Sequence, residues 1–384
     1  MKIINSMFLG VGAATAAICV LPTLTVAQSA VAPSVYATGL QDPRGLRFGA
    51  DGDLYVAEAG TGGTHATTPS MCQQVPAPVG PYTGGLTGRI SKVSRDHKVT
   101  TVAAGFPSTV DAMGDLIGVA DVAFLDGKLY ALVSGGGCSH GNPAHPSGVA
   151  VVNRHTGQYT LIANIGAFLK THPAKFESAD DFEPDGTLYS LISAHGDLYT
   201  VEPNHGQVFR VKSDGDIKQI IDISASQGHI VPTAIAERDG DFFVGNLNLF
   251  PIDPEWARIL TISRSHGDDF DAAPGFRNDL RGYHVIDSKA GFTTVVAVDF
   301  GPDGLLYALE LSAAPGFPTP GAGKVVRVKH SGDIEDVVTG LVVPTGMTFG
   351  PDGALYISNL GALPAGAAPV GSGQILRAEV APGW

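Results

Sequence analysis

The fold is decided by the stretch PRGLRFGADGDLYVAE at residues 43–58, which recurs as PTGMTFGPDGALYISN at residues 344–359. Both copies place an Asp-Gly pair between two segments rich in apolar and aromatic residues. That arrangement is typical of a tight turn that joins two antiparallel strands. Each copy therefore predicts a β-hairpin, and the recurrence indicates an internally repeated architecture.

Four further hairpins lie between these two, and each hairpin is followed by one or two more strands. The additional hairpins are predicted at residues 119–133, 188–199 (with its turn at 194–196), 231–246 and 296–310. Third strands follow at residues 88–93, 148–152, 206–211, 257–262, 323–328 and 373–378, and fourth strands are clearest at residues 99–103, 159–163, 217–221 and 334–338. Four antiparallel strands repeated about every 50 to 60 residues predict an all-β fold, a six-bladed β-propeller.

The last repeat ends at its third strand, whereas the chain begins with a strand that has no hairpin of its own. This first strand, VYATGL at residues 35–40, is similar to VTGL at residues 338–341. We expect the N-terminal strand to join the last blade and close the ring. Closure of this kind removes the exposed edge that an open propeller would carry.

Composition limits the partners of the protein. The chain has 384 residues with 50 Gly and 26 Pro, only 16% charged residues and a net charge of −13. Nucleic acids and anionic membranes are bound by clustered Lys and Arg, so neither is expected as a partner. After the N-terminal segment no apolar stretch reaches the roughly 20 residues that a membrane-spanning helix requires.

The N-terminal segment has the character of a signal peptide. Lys2 precedes an uncharged apolar run at residues 7–21, and Pro22 ends that run. We predict a signal peptide at residues 1–30 and one propeller domain at residues 31–384, secreted to an extracellular or periplasmic space. An uncleaved N-terminal anchor is the alternative.

Two cysteines remain after the signal peptide. Cys72 and Cys138 lie in the same type of loop in adjacent blades. In an oxidising compartment such a pair predicts one disulfide bond, and two free thiols are the alternative.

Four segments together resemble one protein family: GLQDPRGLRFGADGDLYVAEAG, LTGRISKV, VPTAIAERDGDFFVGNL and VAVDFGPDGLLYALEL. They are similar to the ScyD/ScyE family, exported propeller proteins named after a scytonemin biosynthesis cluster and related to the wider NHL-repeat group. The resemblance covers residues 35–380. An Asp-x-Asn-Pro-Tyr motif usual in blade three of that family is replaced here by DGTLY at residues 185–189. The resemblance implies a propeller fold and export, and it assigns no chemistry because most members have no established activity.

One face of the predicted propeller carries the long loops. They join second to third strands at residues 59–87, 135–147, 247–256, 311–322 and 361–372, and they join blades at residues 105–116, 166–181 and 272–291. Long loops on a rigid scaffold are where binding residues concentrate. We therefore expect a small molecule, a glycan or a protein to bind on this face, at the central channel.

A polar residue stands three positions after the aromatic residue in five of the six second strands. These candidates for a ligand or metal ring are Glu58, Glu202, Asn246, Glu310 and Asn359. Mixed carboxylates and amides suit a hard cation, so Ca²⁺ in the central channel is the candidate cofactor. Propellers of the gluconolactonase and paraoxonase kind resemble this arrangement, which favours a metal-dependent hydrolase or lactonase. The alternative is that these side chains only cap neighbouring backbone groups.

Several histidines give weaker indications of a metal site or of proton transfer. The segment CSHGNPAH at residues 138–145 has a composition found in metal sites, but we predict a solvated loop held by the disulfide rather than a zinc site. His172, His229 and His284 are candidate proton-transfer groups in blade-connecting loops.

Two functional classes follow from these features, and the sequence leaves open whether the protein is an enzyme. The absence of a nucleophile motif or a metalloprotease motif favours a non-catalytic binding or scaffolding protein. A metal-dependent hydrolase or lactonase is the alternative. A channel rimmed by Phe250, Phe292 and Phe317 would fit the binding protein.

Overall fold

The computed structural model of the protein describes residues 30–264 and 282–383. In this part of the chain nearly all regular structure is β-strand. The strands are β1 (Ser34–Leu40), β2 (Pro43–Phe48), β3 (Leu54–Glu58), β4 (His65–Ala66), β5 (Thr83–Val93), β6 (Val99–Val110), β7 (Leu116–Ile117), β8 (Val119–Leu125), β9 (Lys128–Val133), β10 (Gly148–Val152), β11 (Tyr159–Asn164), β12 (Leu191–Ala194), β13 (Asp197–Glu202), β14 (Gln207–Val211), β15 (Ile217–Asp222), β16 (Pro232–Arg238), β17 (Asp241–Asn246), β18 (Ala257–Arg264), β19 (Tyr283–Phe292), β20 (Val295–Phe300), β21 (Leu306–Glu310), β22 (Gly323–Val328), β23 (Ile334–Leu341), β24 (Gly346–Phe349), β25 (Leu355–Asn359) and β26 (Gly373–Ala378). Two short helices, α1 (Ile165–Leu169) and α2 (Ser224–Gln227), follow the fourth strands of two blades.

These strands form six antiparallel sheets, which are the blades of a six-bladed β-propeller. Five blades take consecutive strands, with β4 and β7 as short additions to the first blade, and the sixth has the order β1-β26-β25-β24. The first strand of each blade contacts the first strand of the next, and β24 contacts β2. The predicted fold and the closure by the N-terminal strand are therefore confirmed. Six inner strands that meet in a closed ring surround the central channel.

The hairpin turns on the short-loop face are of two kinds. Asp126-Gly127, His195-Gly196 and Asp239-Gly240 are two-residue turns in which both residues have positive φ, a conformation that glycine and aspartate tolerate. The third of these confirms the Asp-Gly turn of blade four, and the second confirms the turn at residues 194–196 in blade three. The other three hairpins use the longer Gly-x-Asp-Gly turn, in which only the second glycine has positive φ.

A hydrogen bond explains why Asp and Tyr recur four residues apart in the repeat. The Tyr55 hydroxyl donates to Asp51 over 2.8 Å, and the equivalent pairs are Tyr307 with Asp303 at 2.8 Å and Tyr356 with Asp352 at 3.0 Å. The tyrosine bodies are buried between blades, where they pack edge-to-face on phenylalanines. The Asp and Tyr of each repeat thus connect its turn to the hydrophobic layer between neighbouring blades.

Several predicted boundaries are wrong, and the strands are longer than the sequence suggested. Strand β6 continues to Val110 and takes half of the loop predicted at residues 105–116, because it pairs with the early start of β5. Strand β19 occupies residues 283–291 of the loop predicted at 272–291, and residues 272–281 of that loop lie outside the described part.

The disulfide between Cys72 and Cys138 is present and confirms the predicted pairing. Within residues 30–264 and 282–383, no helix is long and apolar enough to cross a membrane. The predicted signal peptide lies, apart from residue 30, outside the described residues.

Candidate functional site

A cavity of about 280 Å³ opens at the long-loop end of the central channel. Its walls come from the loops that precede β8, β12 and β16 and from the loops that follow β17, β21 and β25. Apolar side chains such as Leu116, Leu188 and Leu247 line much of the wall, and Leu249 and Phe250 stand at the outer edge. The loop face therefore carries a concave and largely apolar site, the form that small-molecule sites usually take.

The channel narrows below this cavity. The next space along the axis measures only about 20 Å³ and shares Tyr189 and Val296 with the cavity above it. Asp121 lines this constriction, and its carboxylate accepts the peptide N–H groups of Val122 and Leu191 at 2.8 Å each. The channel is therefore much narrower below the loop-face cavity than within it.

Arg44 contributes a guanidinium to this cavity, and its charge is already engaged. It forms a 2.8 Å salt bridge with Asp42 and donates a further hydrogen bond to the Leu116 carbonyl. It also contacts the Tyr189 hydroxyl. Because its hydrogen bonds go to protein acceptors, Arg44 acts mainly as a brace between the inner strand β2 and the neighbouring loops.

A buried hydrogen-bonded chain of three side chains adjoins the cavity, which Tyr82 and Glu183 line. The Tyr82 hydroxyl donates to Oε1 of Glu183 over 2.7 Å, and Nε2 of His140 lies 2.8 Å from Oε2 of the same carboxylate. Nδ1 of His140 lies 2.7 Å from the Gly136 carbonyl. His140 is fully buried, so the prediction that its loop is solvated is wrong. The disulfide and these hydrogen bonds fold that loop inward.

The remaining carboxyl groups of the cavity differ in their partners. Asp181 lies 2.7 Å from Nε2 of His229. Asp111 accepts the backbone N–H groups of Met113 and Asp115 at 2.8 Å each and forms no salt bridge with any described residue. Burial, followed by repulsion from the Asp115 carboxylate, raises the pKa of Asp111 to about 6.

The five residues of the predicted ring all end the second strand of a blade, and all are buried. Each binds the backbone of the segment that enters its own blade, 15 to 17 residues earlier in the chain. Glu58, Glu202, Glu310 and Asn359 accept peptide N–H groups in this way, and the Asn246 amide donates to the Ile230 carbonyl. These are the contacts expected if the ring residues only cap neighbouring backbone groups.

The structure does not bring the five ring residues together at the cavity. None of them lines it. In the described ranges no three His, Cys, Asp or Glu side chains converge in a group that could hold a metal ion. Each ring residue spends at least one polar atom on a backbone hydrogen bond, whereas Oε1 of Glu58 and Oε2 of Glu310 are buried without a hydrogen-bond partner in the described structure. A channel metal stays a prediction.

The other candidates from the sequence fall in different places. His172 is exposed and stacks on Phe168, and His284 lies in strand β19 rather than in a loop. Phe250 and Phe317 are exposed on the loop face with ring centroids 6.2 Å apart. Phe292 is fully buried in the core, so its predicted place at the rim is wrong.

No known family model and no curated protein sequence match the chain. Solved structures do resemble it in fold. A calcium-binding protein, regucalcin, from Agrobacterium tumefaciens is 13% identical, with 92% of this chain and 96% of that chain covered and a TM-score of 0.53. A putative oxidoreductase (glucose dehydrogenase) from Thermus thermophilus is 15% identical, with 91% and 100% covered and a TM-score of 0.54. The PQQ-bound aldose sugar dehydrogenase of Streptomyces coelicolor is 13% identical, with 93% and 100% covered and a TM-score of 0.51.

The fold places this chain in the class of six-bladed β-propellers. The three solved structures named above share its fold. Identities this low show a shared fold and leave function to be argued from the site. Membership of the ScyD/ScyE family stays a prediction.

Sequence reasoning placed the expected site on the face where this cavity opens, but it missed the residues that give the cavity its character. Arg44 could have been singled out from the sequence, because the last copy of the repeat has Thr345 at the equivalent position. Tyr82, Asp111 and Glu183 had none, since they lie in loops outside the repeat.

Proposed function

We propose that this chain is a secreted binding protein that takes a small organic molecule into the loop-face cavity without transforming it. Residues 1–30 serve as the signal peptide, and residues 31–384 are the exported propeller, of the ScyD/ScyE type. The Cys72–Cys138 disulfide is compatible with an oxidising compartment.

The observation that carries this proposal is the cavity itself. Its apolar walls and few polar groups are typical of ligand sites, and its size is near the lower end of the usual range of about 300–1,000 Å³. Ser134 lines it, and the buried hydroxyl of this residue has no hydrogen-bond partner in the described structure, so no base activates this candidate nucleophile. His140 directs both ring nitrogens at other acceptors. Binding is better supported than nucleophilic catalysis.

The test is a thermal-shift screen of small aromatic amines, alcohols and carboxylic acids against three proteins. Ala362 lines the cavity, so Ala362→Phe fills it, whereas Ala367 is exposed and outside it, so Ala367→Phe is the matched control. We expect at least one compound to raise the Tm of wild type and of Ala367→Phe but not of Ala362→Phe. Equal shifts in all three proteins, or none in any, would overturn the proposal.

A metal-dependent lactonase is the second candidate, favoured by the likeness in fold to a protein described as calcium-binding regucalcin. Hydrolysis of glucono-δ-lactone in the presence of Ca²⁺, Zn²⁺ or Mn²⁺ tests it. A metal-dependent rate that is lost in Glu310→Gln but kept in Glu379→Gln, an exposed control, would replace the binding proposal.

A further inference from the structure

We propose that the ligand of the loop-face cavity is an organic ammonium ion with an apolar body. This inference rests on the proposed function and specifies its ligand class. It follows from the way charge is distributed among the groups that line the cavity.

The cavity contains more carboxylates than cations to neutralise them. Among the described lining residues the carboxylates are Asp111, Asp115, Asp181 and Glu183, whereas the one guanidinium is that of Arg44. Arg44 is paired with Asp42, and Glu183 with His140. Asp111 and Asp115 lie on one wall, and neither forms a salt bridge with a residue of the described structure. Two neighbouring carboxylates in a partly desolvated cavity repel each other, and a bound cation would relieve that repulsion.

A second observation, independent of the acidic pair, also indicates a hydrogen-bonding ligand. Ser134 is 1% exposed and lines the cavity, yet its hydroxyl has no hydrogen-bond partner in the described structure. Buried polar atoms in native proteins nearly always have a partner, which suggests that a ligand supplies it. An ammonium group has three N–H donors and no acceptor, so carboxylates and a hydroxyl oxygen are its natural partners.

The outer part of the cavity suits the apolar body of such a ligand. Leu249, Phe250 and Pro318 line the cavity, and the exposed Phe250 ring stacks on Phe317 at the edge. This edge is held by paired backbone hydrogen bonds between Ile252 and Gly316. Exposed aromatic side chains beside a cavity are typical of sites that bind an apolar group.

An anionic ligand is disfavoured by the same geometry. The one guanidinium of the described cavity, on Arg44, already binds Asp42 and the Leu116 carbonyl. A bound carboxylate would instead lie in the same small space as Asp111 and Asp115. The free energy that the ligand carboxylate loses when it leaves water would then not be offset by an available positive charge.

The experiment is isothermal titration calorimetry with three probes of similar shape: 2-phenylethylamine, 2-phenylethanol and 3-phenylpropanoate. The protein is the full mature chain. We expect the amine to bind about tenfold or more tightly than the alcohol, and the acid to bind weakest. In Asp111→Asn the preference for the amine should fall by about tenfold, because Asn keeps the acceptor that the Met113 and Asp115 N–H groups need but lacks the charge.

Two controls separate this inference from the proposed function. Asp239→Asn removes one charge at an exposed turn on the opposite face and should leave all three affinities unchanged. Equal or tighter binding of the alcohol or the acid, blocked by Ala362→Phe, would overturn the ligand class and leave the binding function standing. Amine binding that survives Ala362→Phe would overturn the site assignment. No binding of any probe, together with a negative thermal-shift screen, would overturn both.

Discussion

Nε2 of His140 lies 2.8 Å from Oε2 of Glu183, and both side chains are buried. The other ring nitrogen faces the Gly136 carbonyl, which can only accept a hydrogen bond. With Glu183 ionised, both nitrogens must donate, so the geometry selects the imidazolium form. Burial alone would lower the pKa of His140, but the hydrogen bond and charge of Glu183 outweigh it and raise that pKa above its ordinary value.

His140→Gln should destabilise the protein more at acidic pH than at alkaline pH. A histidine whose folded-state pKa is raised contributes stability below its unfolded pKa of about 6.5 and loses it as pH rises through the folded value. Removing one partner of a buried ion pair costs roughly 3–5 kcal/mol. Urea denaturation at pH 5.5 and pH 8.5 measures the difference.

His145→Gln is the control for this prediction, because His145 belongs to the same loop but is only partly buried. It should lower the free energy of unfolding little, because it removes no buried ion pair. A loss in His140→Gln that does not depend on pH would contradict the imidazolium assignment.

The disulfide should contribute a large part of the stability of the long-loop face. Cys72 and Cys138 are 66 residues apart, and closing a loop of that length in the unfolded chain is worth about 4 kcal/mol in the chain-entropy model. The double variant Cys72→Ser/Cys138→Ser should unfold at a correspondingly lower urea concentration. Wild type treated with dithiothreitol should match the double variant, and an unchanged midpoint in both would show that the loop is held by its other contacts.

The fold was predictable because its signal is local. An Asp-Gly turn lies within a few residues of the Tyr whose hydroxyl donates a hydrogen bond to its Asp. Each hairpin can therefore be predicted from its own stretch of sequence. The cavity has no such signal. Tyr82 and Glu183 meet across 101 residues, and His140 and Glu183 across 43, through loops whose course depends on the assembled ring.

The ring of strand-end residues was found for a related reason, since it follows the repeat. Its position was predictable, whereas its partners were not. Glu202 accepts the N–H of Thr187, and Asn359 that of Val342, in segments that only the folded blade brings near.

Asn246→Ala should test whether a ring residue caps the backbone or holds a metal. The Asn246 amide donates to the Ile230 carbonyl, and its oxygen accepts the Arg258 N–H at 2.7 Å. Leaving these buried groups unpaired should cost about 1–3 kcal/mol. The capping role predicts the same loss of unfolding free energy in Ca²⁺ and in EGTA. A loss confined to Ca²⁺ would instead support the metal ring.

The affinity for 2-phenylethylamine should rise with pH and level off about one pH unit above the pKa of Asp111. Burial and then the Asp115 carboxylate raise the pKa of Asp111 to about 6, so at pH 5 most Asp111 side chains are protonated and neutral. The titratable groups that face this site are the Asp115 carboxyl, the Tyr82 phenol and, across from Asp115, the Arg44 guanidinium. Beside Arg44 lies Asp42, and burial raises the pKa of that carboxyl to about 7.

Tyr82 and Arg44 do not titrate in this range, since burial raises the pKa of Tyr82 well above its usual value and Arg44 stays cationic. The amine keeps its charge throughout, so the change in affinity reports the carboxyl groups. Calorimetry from pH 5 to pH 8 should show binding about tenfold weaker at the acidic end in wild type. In Asp111→Asn that pH dependence should largely disappear. An unchanged pH profile in the variant would place the titrating group elsewhere and remove Asp111 from the site.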